Sequence, residues 1–350
     1  MGAAVAAPGA FARQPANEPL AVNARPLKAH SHRLIDVHAH FIPDDYRRAL
    51  LATGYDHAEG MFGIPAWSAR GMLGMMDRLG IATAILSISS PGVHFGDDAA
   101  ARSLARAVNL EGARLKSAHP DRFGFFASLP LPDVTGALRE LAYALDELGA
   151  DGVTIESNHR GVYPGDPVLE PLFVEFDRRQ AVVYMHPTSP HCPCSAQPSV
   201  RIPVSVLEFM FETTRAVTNL MLSGTLERHR RMRLIVPHAG AALPALADRI
   251  ARAAARSAEV RSLSPAAVLE TLGRLYYDVA GAALPRQLPA LRSFANPQHI
   301  LYGSDWPWTP ESAVKESLLK LEHEPDAPGW PKAQLWRGNA ERLLPRLAGH

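Results

Sequence analysis

The stretch RLIDVHAHFIP, residues 33–43, combines the pattern of a buried β-strand with two histidines. Side chains alternate along a strand, so residues two apart share a face, and His38 and His40 therefore converge. Ile35 and Val37 mark the rest of the run as apolar and buried. Burying an unpartnered imidazole costs about 1–3 kcal/mol, so both rings need partners. A metal ion would satisfy both, and ordinary hydrogen bonds at the strand end are the alternative.

Seven further strand-like runs follow this one, separated by segments of helical periodicity. In residues 132–150, for example, apolar residues step by three and four, which indicates an amphipathic helix. Several strand-like runs are almost continuously apolar, as burial on both faces of a parallel sheet requires. The eight candidates are residues 33–41, 83–90, 123–130, 151–158, 181–187, 233–240, 275–281 and 299–307. This alternation predicts an α/β fold, a (β/α)8 TIM barrel, with a doubly wound open sheet as the alternative.

The chain divides into a short N-terminal segment and one long domain. Residues 1–31 are Ala-rich, and we expect either a disordered arm or the remnant of a secretory signal segment there. Residues 32–350 are expected to form a single barrel domain, with a lid-like insertion around residues 42–70. A cytoplasmic location is expected, and a periplasmic or secreted one is the alternative if the arm is a trimmed signal segment.

Charge and hydropathy restrict the partners of the protein. The 350 residues include 36 Lys and Arg against 35 Asp and Glu. This balance gives no electrostatic basis for binding nucleic acid or an anionic membrane. The apolar runs are strand-sized and fall short of the roughly 20 residues of a membrane-spanning helix. We therefore expect a small-molecule ligand.

Polar residues gather at the predicted carboxyl ends of the strands. His38 and His40 end the first strand, His186 the fifth, His238 the sixth and Asp305 the eighth. The carboxyl ends of barrel strands open onto one face, where barrel enzymes carry their active sites. Three imidazoles from this group, together with the carboxylate, suit a borderline divalent ion such as zinc, with manganese or iron as alternatives.

These motifs resemble the amidohydrolase superfamily, specifically its aminocarboxymuconate-semialdehyde decarboxylase-like branch. The shared features are His-x-His in the first strand, a His after the fifth, HAG after the sixth and GSDWP after the eighth. The segments 86–109, 150–163, 181–190 and 209–229 are similar to 6-methylsalicylate decarboxylases and their bacterial relatives. The resemblance covers about residues 33 to 345.

The resemblance implies a mononuclear metal site and a separate acid/base histidine. The acid/base role falls on His238, and the metal ligands are His38, His40, His186 and Asp305. Relatives with two metals carry a carbamylated lysine at the end of the fourth strand, where this chain has Glu156. One divalent ion per chain is therefore expected, zinc first and manganese as the alternative.

Four further side chains have two interpretations each. Arg249 lies eleven residues after His238, where the resemblance implies an arginine that crosses a homodimer interface to the neighbour's substrate carboxylate; the alternative is a solvated helix charge. Trp306 and Trp308 are expected either to wall an aromatic pocket or to pack beneath the C-terminal helix. Glu212 is expected either to orient a metal ligand or His238, or to stabilise its own helix.

The activity that the resemblance implies is nonoxidative decarboxylation of an o-hydroxyaryl carboxylic acid similar to 6-methylsalicylate. The metal would orient the substrate, and His238 would transfer the proton. The same residues also suit metal-dependent hydrolysis of a lactone or an amide, so this alternative stays open. A barrel that only binds a ligand would be expected to have lost metal ligands, and this chain retains all four.

Overall fold

The computed structural model describes residues 34–56, 63–191, 202–255, 263–327 and 329–348. The eight predicted strands are all present in this part of the chain, with shorter bounds than the sequence pattern indicates. They are β1 Leu34–His40, β2 Ile81–Ser87, β3 Phe123–Ser128, β4 Gly152–Glu156, β5 Val182–His186, β6 Arg233–Val236, β7 Tyr276–Asp278 and β8 Ile300–Leu301.

Helices connect the strands, as the periodicity predicts. The described residues contain α1 Asp44–Ala52, α2 Ala69–Leu79, α3 Asp98–Ala118, α4 Val134–Asp146, α5 Glu170–Arg179, α6 Glu208–Leu222, α7 Thr225–Arg228, α8 Leu243–Ala254, α9 Pro265–Arg274, α10 Gln287–Leu291, α11 Glu311–His323 and α12 Asn339–Leu343. The amphipathic segment forms α4, whose first turn is capped because Asp133 accepts a hydrogen bond from the Gly136 amide. Leu141 on its inner face is fully buried.

The strands form one parallel sheet in the order β1 to β8. Asp36 of β1 pairs with Tyr302, directly after β8, and this bridge brings the two edges of the sheet together. The barrel interior is filled by large buried side chains, among them Phe126, Tyr184 and Ile235. The fold is therefore the predicted (β/α)8 TIM barrel, and the open-sheet alternative is excluded.

All eight strands end before the residue that the sequence predicts, and β6 and β8 do so by the largest margins. The predicted run 233–240 is a strand only to Val236, because His238 adopts the left-handed conformation with φ of 55°. The predicted run 299–307 is a strand only for Ile300–Leu301. Beyond it, Gly303 passes so close to β1 that a Cβ atom there would lie 2.7 Å from the Cβ of His38. The early ends of β6 and β8 affect His238 and Asp305, two residues of the predicted active site.

The predicted lid region is partly helical. Helix α1 occupies its first part, and Tyr55 beyond this helix contacts Phe95 with ring centroids 5.7 Å apart. The predicted N-terminal arm, residues 1–31, lies outside the described residues. Within the described ranges, no helix is both long and apolar enough to cross a membrane.

Candidate active site

The carboxyl ends of β1 and β5 and the segment after β8 bring four potential metal ligands together. Their ligand atoms all lie within 4.8 Å of one another, and the four residues are His38, His40, His186 and Asp305. The three histidines are buried, and Asp305 is partly buried. The structure thus unites the four side chains that the sequence predicts as ligands.

The two histidines of β1 are oriented by hydrogen bonds to their Nδ1 atoms. His38 Nδ1 lies 3.0 Å from Asp278 Oδ2, and His40 Nδ1 lies 3.2 Å from the Ser87 carbonyl oxygen. When Nδ1 carries the proton and donates it to these oxygens, Nε2 of each ring keeps a free lone pair. Both Nε2 atoms approach Asp305 Oδ1, at 3.3 Å from His38 and 3.1 Å from His40.

His186 completes the cluster from the end of β5. Its Nδ1 accepts a hydrogen bond from the Ser90 amide at 3.2 Å. Its ring meets the ring of His40 edge-on, with centroids 4.8 Å apart. Glu156 Oε2 lies 3.6 Å from the same Nδ1, which is too far for a hydrogen bond. The backbone of Ser90, rather than a carboxylate, therefore orients this ring.

Asp305 lies outside any strand and is held by a hydrogen bond of its backbone amide. Its φ is 60°, in the left-handed region, and its amide donates to the His38 carbonyl oxygen at 2.7 Å. Thr309 Oγ1 donates to Asp305 Oδ2 at 3.0 Å. Although burial opposes ionisation, the surrounding histidines hold the pKa of Asp305 well below its usual range. The carboxylate is therefore negatively charged at neutral pH.

The electrostatics of this cluster favour a cation. Burial alone would lower the pKa of His38, but the adjacent Asp278 and Asp305 raise it to about 10. Burial lowers the pKa values of His40 and His186, so both rings are neutral, as metal ligation requires. Within the described residues, His38 Nε2 is buried without a hydrogen-bond partner. An orphaned nitrogen beside an ionised carboxylate and two neutral imidazoles fits one divalent metal ion.

His238 stands at the edge of the cluster, on the turn after β6. Its Nε2 lies 3.8 Å from Asp305 Oδ2, and its ring centroid lies 4.9 Å from that of His38. Two contacts fix its backbone, because its amide donates to Asp278 Oδ1 at 3.1 Å and its carbonyl accepts from Gln287 Nε2 at 3.0 Å. The side chain is 13 % exposed, so it combines a fixed backbone with access to the space above the cluster.

Asp278 is a site residue that the sequence reasoning missed. It ends β7 and is completely buried. One carboxylate oxygen contacts His38 Nδ1 while the other accepts from the His238 amide, so the same side chain positions a metal ligand and the acid/base candidate. The available signal was an aspartate in the middle of the seventh strand-like run, residues 275–281.

A cavity of about 400 Å³ opens beside the cluster, and we refer to it as the substrate cavity. Its walls include His186, Asp305 and His238 together with the apolar Phe209 and Trp308. This volume lies within the range of about 300–1,000 Å³ typical of small-molecule sites. A largely apolar wall facing a few polar anchors suits a planar aromatic ligand that carries polar substituents.

The remaining predicted side chains lie around the cluster or away from it. Of the two tryptophans, Trp308 lines the substrate cavity, and the Trp306 carbonyl accepts from the His40 amide at 2.8 Å. Arg249 is exposed on α8. Glu212 fits the alternative that it stabilises its own helix, because Arg215 Nε lies 2.9 Å from its Oε1. Its carboxylate also accepts from Tyr163 OH at 2.9 Å and from Asn158 Nδ2 at 3.1 Å. These bonds join α6 to the loop after β4.

A (β/α)8 barrel with three histidines and an aspartate at the carboxyl ends of its strands is the arrangement of a metal-dependent barrel enzyme. The amidohydrolase family model matches residues 35–346, so the chain belongs to the amidohydrolase family.

Two fungal decarboxylases are similar over almost their whole length. A 6-methylsalicylic acid decarboxylase of Aspergillus aculeatus is 40% identical over 321 residues, which are 89% of this chain and 96% of that protein. A decarboxylase of Penicillium terrestre is 36% identical over 89% of this chain and 95% of that protein. A solved structure of an amidohydrolase II superposes with a TM-score of 0.83 at 37% identity, covering 89% of this chain and 99% of that one.

These findings confirm the resemblance to the decarboxylase branch of the superfamily. Identities of 36–40% to decarboxylases over nearly nine-tenths of the chain support a carboxy-lyase. Between the two activities left open by the residues, decarboxylation is therefore favoured over hydrolysis of a lactone or an amide.

Proposed function

We propose that the protein catalyses the metal-dependent, nonoxidative decarboxylation of an o-hydroxyaryl carboxylic acid of the 6-methylsalicylate type. The observation that carries this proposal is the position of His238, whose Nε2 lies 3.8 Å from Asp305 Oδ2 at the wall of the substrate cavity. A titratable group thus stands next to the predicted metal site and outside it. Similarity to 6-methylsalicylic acid decarboxylases supports the choice of substrate class.

The proposed metal site consists of the clustered ligands His38, His40, His186 and Asp305. When bound, a divalent ion would supply Lewis-acid polarisation and orient the carboxylate and the neighbouring hydroxyl group of an aryl acid. We expect one ion per chain, zinc in first place and manganese as the alternative. Asp278 and Ser87 would keep the two β1 rings in the tautomer that ligation needs.

The proposed proton donor is Nε2 of His238. Decarboxylation breaks the bond between the ring carbon and the carboxylate carbon, CO2 leaves, and the ring carbon takes up a proton. An imidazole is suited to this transfer because its ordinary pKa lies close to neutrality. The ionised Asp305 carboxylate lies 3.8 Å from this nitrogen. Gln287 and Asp278 hold the turn that carries this ring.

The direct experiment combines metal analysis with a substrate panel. The protein is incubated with hydroxybenzoates, including 6-methylsalicylate, and with lactones, while CO2 release and lactone hydrolysis are recorded. We expect CO2 release from acids with a hydroxyl group ortho to the carboxylate, about one metal per chain, and loss of activity after chelation. Lactone hydrolysis without CO2 release would contradict the proposal, as would two tightly held metals per chain.

We further propose a homodimer in which Arg249 reaches the substrate carboxylate of the neighbouring subunit. Helix α8, which carries Arg249, packs against α6. The start of α6 and the turn before it present an apolar surface, because Val206, Leu207 and Phe211 are 60%, 45% and 46% exposed. Neighbouring exposed apolar side chains are typical of a surface that meets another protein. A guanidinium offers a forked, permanently charged partner for a carboxylate.

Mixed dimers test the Arg249 proposal. Arg249→Met should raise KM or abolish turnover while metal content and folding stay intact. Combining it with the inactive His238→Ala variant should restore activity, because one site of the mixed dimer has its own His238 and the partner's Arg249. Arg252→Met on the same helix serves as the control and should change little. Absence of recovery despite verified subunit exchange would show that Arg249 is a solvated helix charge.

A further inference from the structure

A second cavity opens on the same face of the barrel, next to the substrate cavity. Its volume is about 190 Å³. It is lined by the loop after β2, the end of β3, β4 with its following loop, and the loop after β5, and none of the four metal-ligand candidates contributes to its wall. The predicted decarboxylation does not use this cavity.

Three buried polar side chains on the wall of this second cavity lack hydrogen-bond partners. Ser128 Oγ, Thr154 Oγ1 and His159 Nε2 have none among the described residues. The three residues are only 3%, 5% and 7% exposed. Burial lowers the pKa of His159 to about 3, so its ring is neutral at pH 7 and can donate or accept one hydrogen bond at each nitrogen. Buried polar atoms are nearly always satisfied, so these three need partners from outside the protein.

A thin wall separates the two cavities. Ser90 on the substrate side and Thr188 on the other share a hydrogen bond of 2.7 Å between their hydroxyl oxygens. Beside this pair, His186 faces the substrate cavity and Glu156 faces the second cavity. A molecule in the second cavity would therefore lie one side-chain layer from the cluster, without occupying the place of the substrate.

The size and the lining of the second cavity define its ligand class. A cavity of about 150 Å³ is large enough for a benzene ring. Val93, Leu129 and Leu131 provide apolar wall, and the unpartnered hydroxyls provide anchors for a ligand hydroxyl group. Glu156 is 5% exposed and disfavours an anion, whereas Arg160 is exposed and therefore screened by solvent. This combination fits a neutral phenol and disfavours an aryl carboxylate.

We propose that the second cavity is a binding site for small neutral phenols, distinct from the substrate cavity. Ser128 and Thr154 bind the ligand hydroxyl group, and the leucines contact the ring. The inference rests on the proposed function in one respect: decarboxylation of a hydroxyaryl acid releases a phenol of this class. Occupancy by product beside the loaded site lowers kcat without competing with the substrate.

The test uses 3-methylphenol as the probe and calorimetric titration of the metal-loaded protein as the readout. We expect two classes of sites. The double variant Ser128→Ala/Thr154→Val should weaken one class roughly tenfold or more, because two hydrogen bonds are lost. Thr154→Ser, which keeps the hydroxyl, should retain binding. The control is Thr213→Val, which removes a buried, unpartnered hydroxyl that does not line the second cavity and should leave both classes unchanged.

Inhibition kinetics give the second readout. In the wild type, 3-methylphenol should lower kcat as well as raise KM, and the kcat effect should disappear in the double variant, whose uninhibited turnover stays normal. A single class of sites, or a second class that is insensitive to Ser128 and Thr154, would overturn the proposal. The titration needs no turnover, so a failure of the decarboxylase assay and a failure of the phenol site remain distinguishable. If the double variant does not fold, each single variant should weaken binding by a few-fold.

Discussion

The site is built from two kinds of backbone. His38, His40 and His186 belong to the regular strands β1 and β5, where ladder hydrogen bonds and the alternation of side chains set their direction. His238 and Asp305 lie beyond the ends of β6 and β8, on residues with φ of 55° and 60°. Non-glycine residues rarely adopt this conformation, and at functional sites it persists because the surroundings impose it.

The difference separates side chains carried by regular strands from side chains carried by irregular turns beyond the strands. The strand histidines are held by the hydrogen bonds of the sheet and by contacts to their Nδ1 atoms, whereas the two outer residues are held by backbone hydrogen bonds outside any strand. The Asp305 amide donates to the His38 carbonyl, and the His238 amide donates to Asp278. Removing a tether should therefore disturb His238 or Asp305 while the histidines of β1 and β5 keep their places.

The largest effect is expected for Asp305→Asn, which removes the anionic ligand. The amide is neutral, so metal affinity should fall by more than the roughly 10–100-fold that is typical of losing a supporting residue. Turnover should fall with metal content. Elemental analysis after dialysis and CO2 release would measure both losses, with the exposed Asp44→Asn as control. Unchanged metal content would exclude Asp305 from the ligand set.

A smaller effect is expected for Asp278→Asn. This change weakens the support of His38 and the tether of the His238 amide together, so metal affinity and kcat should each drop by roughly 10–100-fold. Competition with a chelator and steady-state kinetics would measure the two quantities. A loss confined to kcat would mean that Asp278 acts on His238 alone. Normal values of both would remove Asp278 from the site.

The smallest effect is expected for Gln287→Ala. Gln287 Nε2 donates to the carbonyls of His238 and Ala241, at 3.0 Å each, and each bond is worth about 0.5–1.5 kcal/mol. Without them the His238 turn loosens, so kcat should fall by about tenfold while metal content stays at the wild-type level. Gln298→Ala, at an exposed position, is the matched control. Loss of metal in Gln287→Ala would mean that the His238 turn supports metal binding as well as the proposed proton donor.

Sequence reasoning predicted the regular part of the site better than the irregular part. Period-two alternation is enough to place His38 and His40 on one face, and eight strand-like runs are enough for a barrel. The lengths of β6 and β8 were overestimated, because histidine and aspartate adopt a left-handed backbone more often than most residues but still too rarely for residue type to predict it at His238 and Asp305. The early end of β8 depends on the close approach of Gly303 to His38, a contact between residues 265 positions apart.

The side chains around the cluster were harder to predict for a related reason. The role of Asp278 could not be predicted, because its partners His38 and His238 are distant in sequence and only the closed barrel brings the three residues together. Of the two predicted tryptophans only Trp308 lines the substrate cavity, and the sequence could not separate them because the irregular backbone after β8 lacks the alternation of a strand. Glu212 was predicted as a possible support for the site because it is a carboxylate, but it bonds to Tyr163 and Asn158 rather than to a proposed metal-binding side chain.

We propose that His238 transfers the proton but does not bind the metal, which His38, His40, His186 and Asp305 would hold. Metal content and CO2 release should be measured on the same preparation of His238→Asn. We expect wild-type metal occupancy together with a fall in kcat of about 100-fold or more, the range of a lost general acid. Metal loss as complete as in Asp305→Asn, or turnover close to the wild-type rate, would exclude this division of roles.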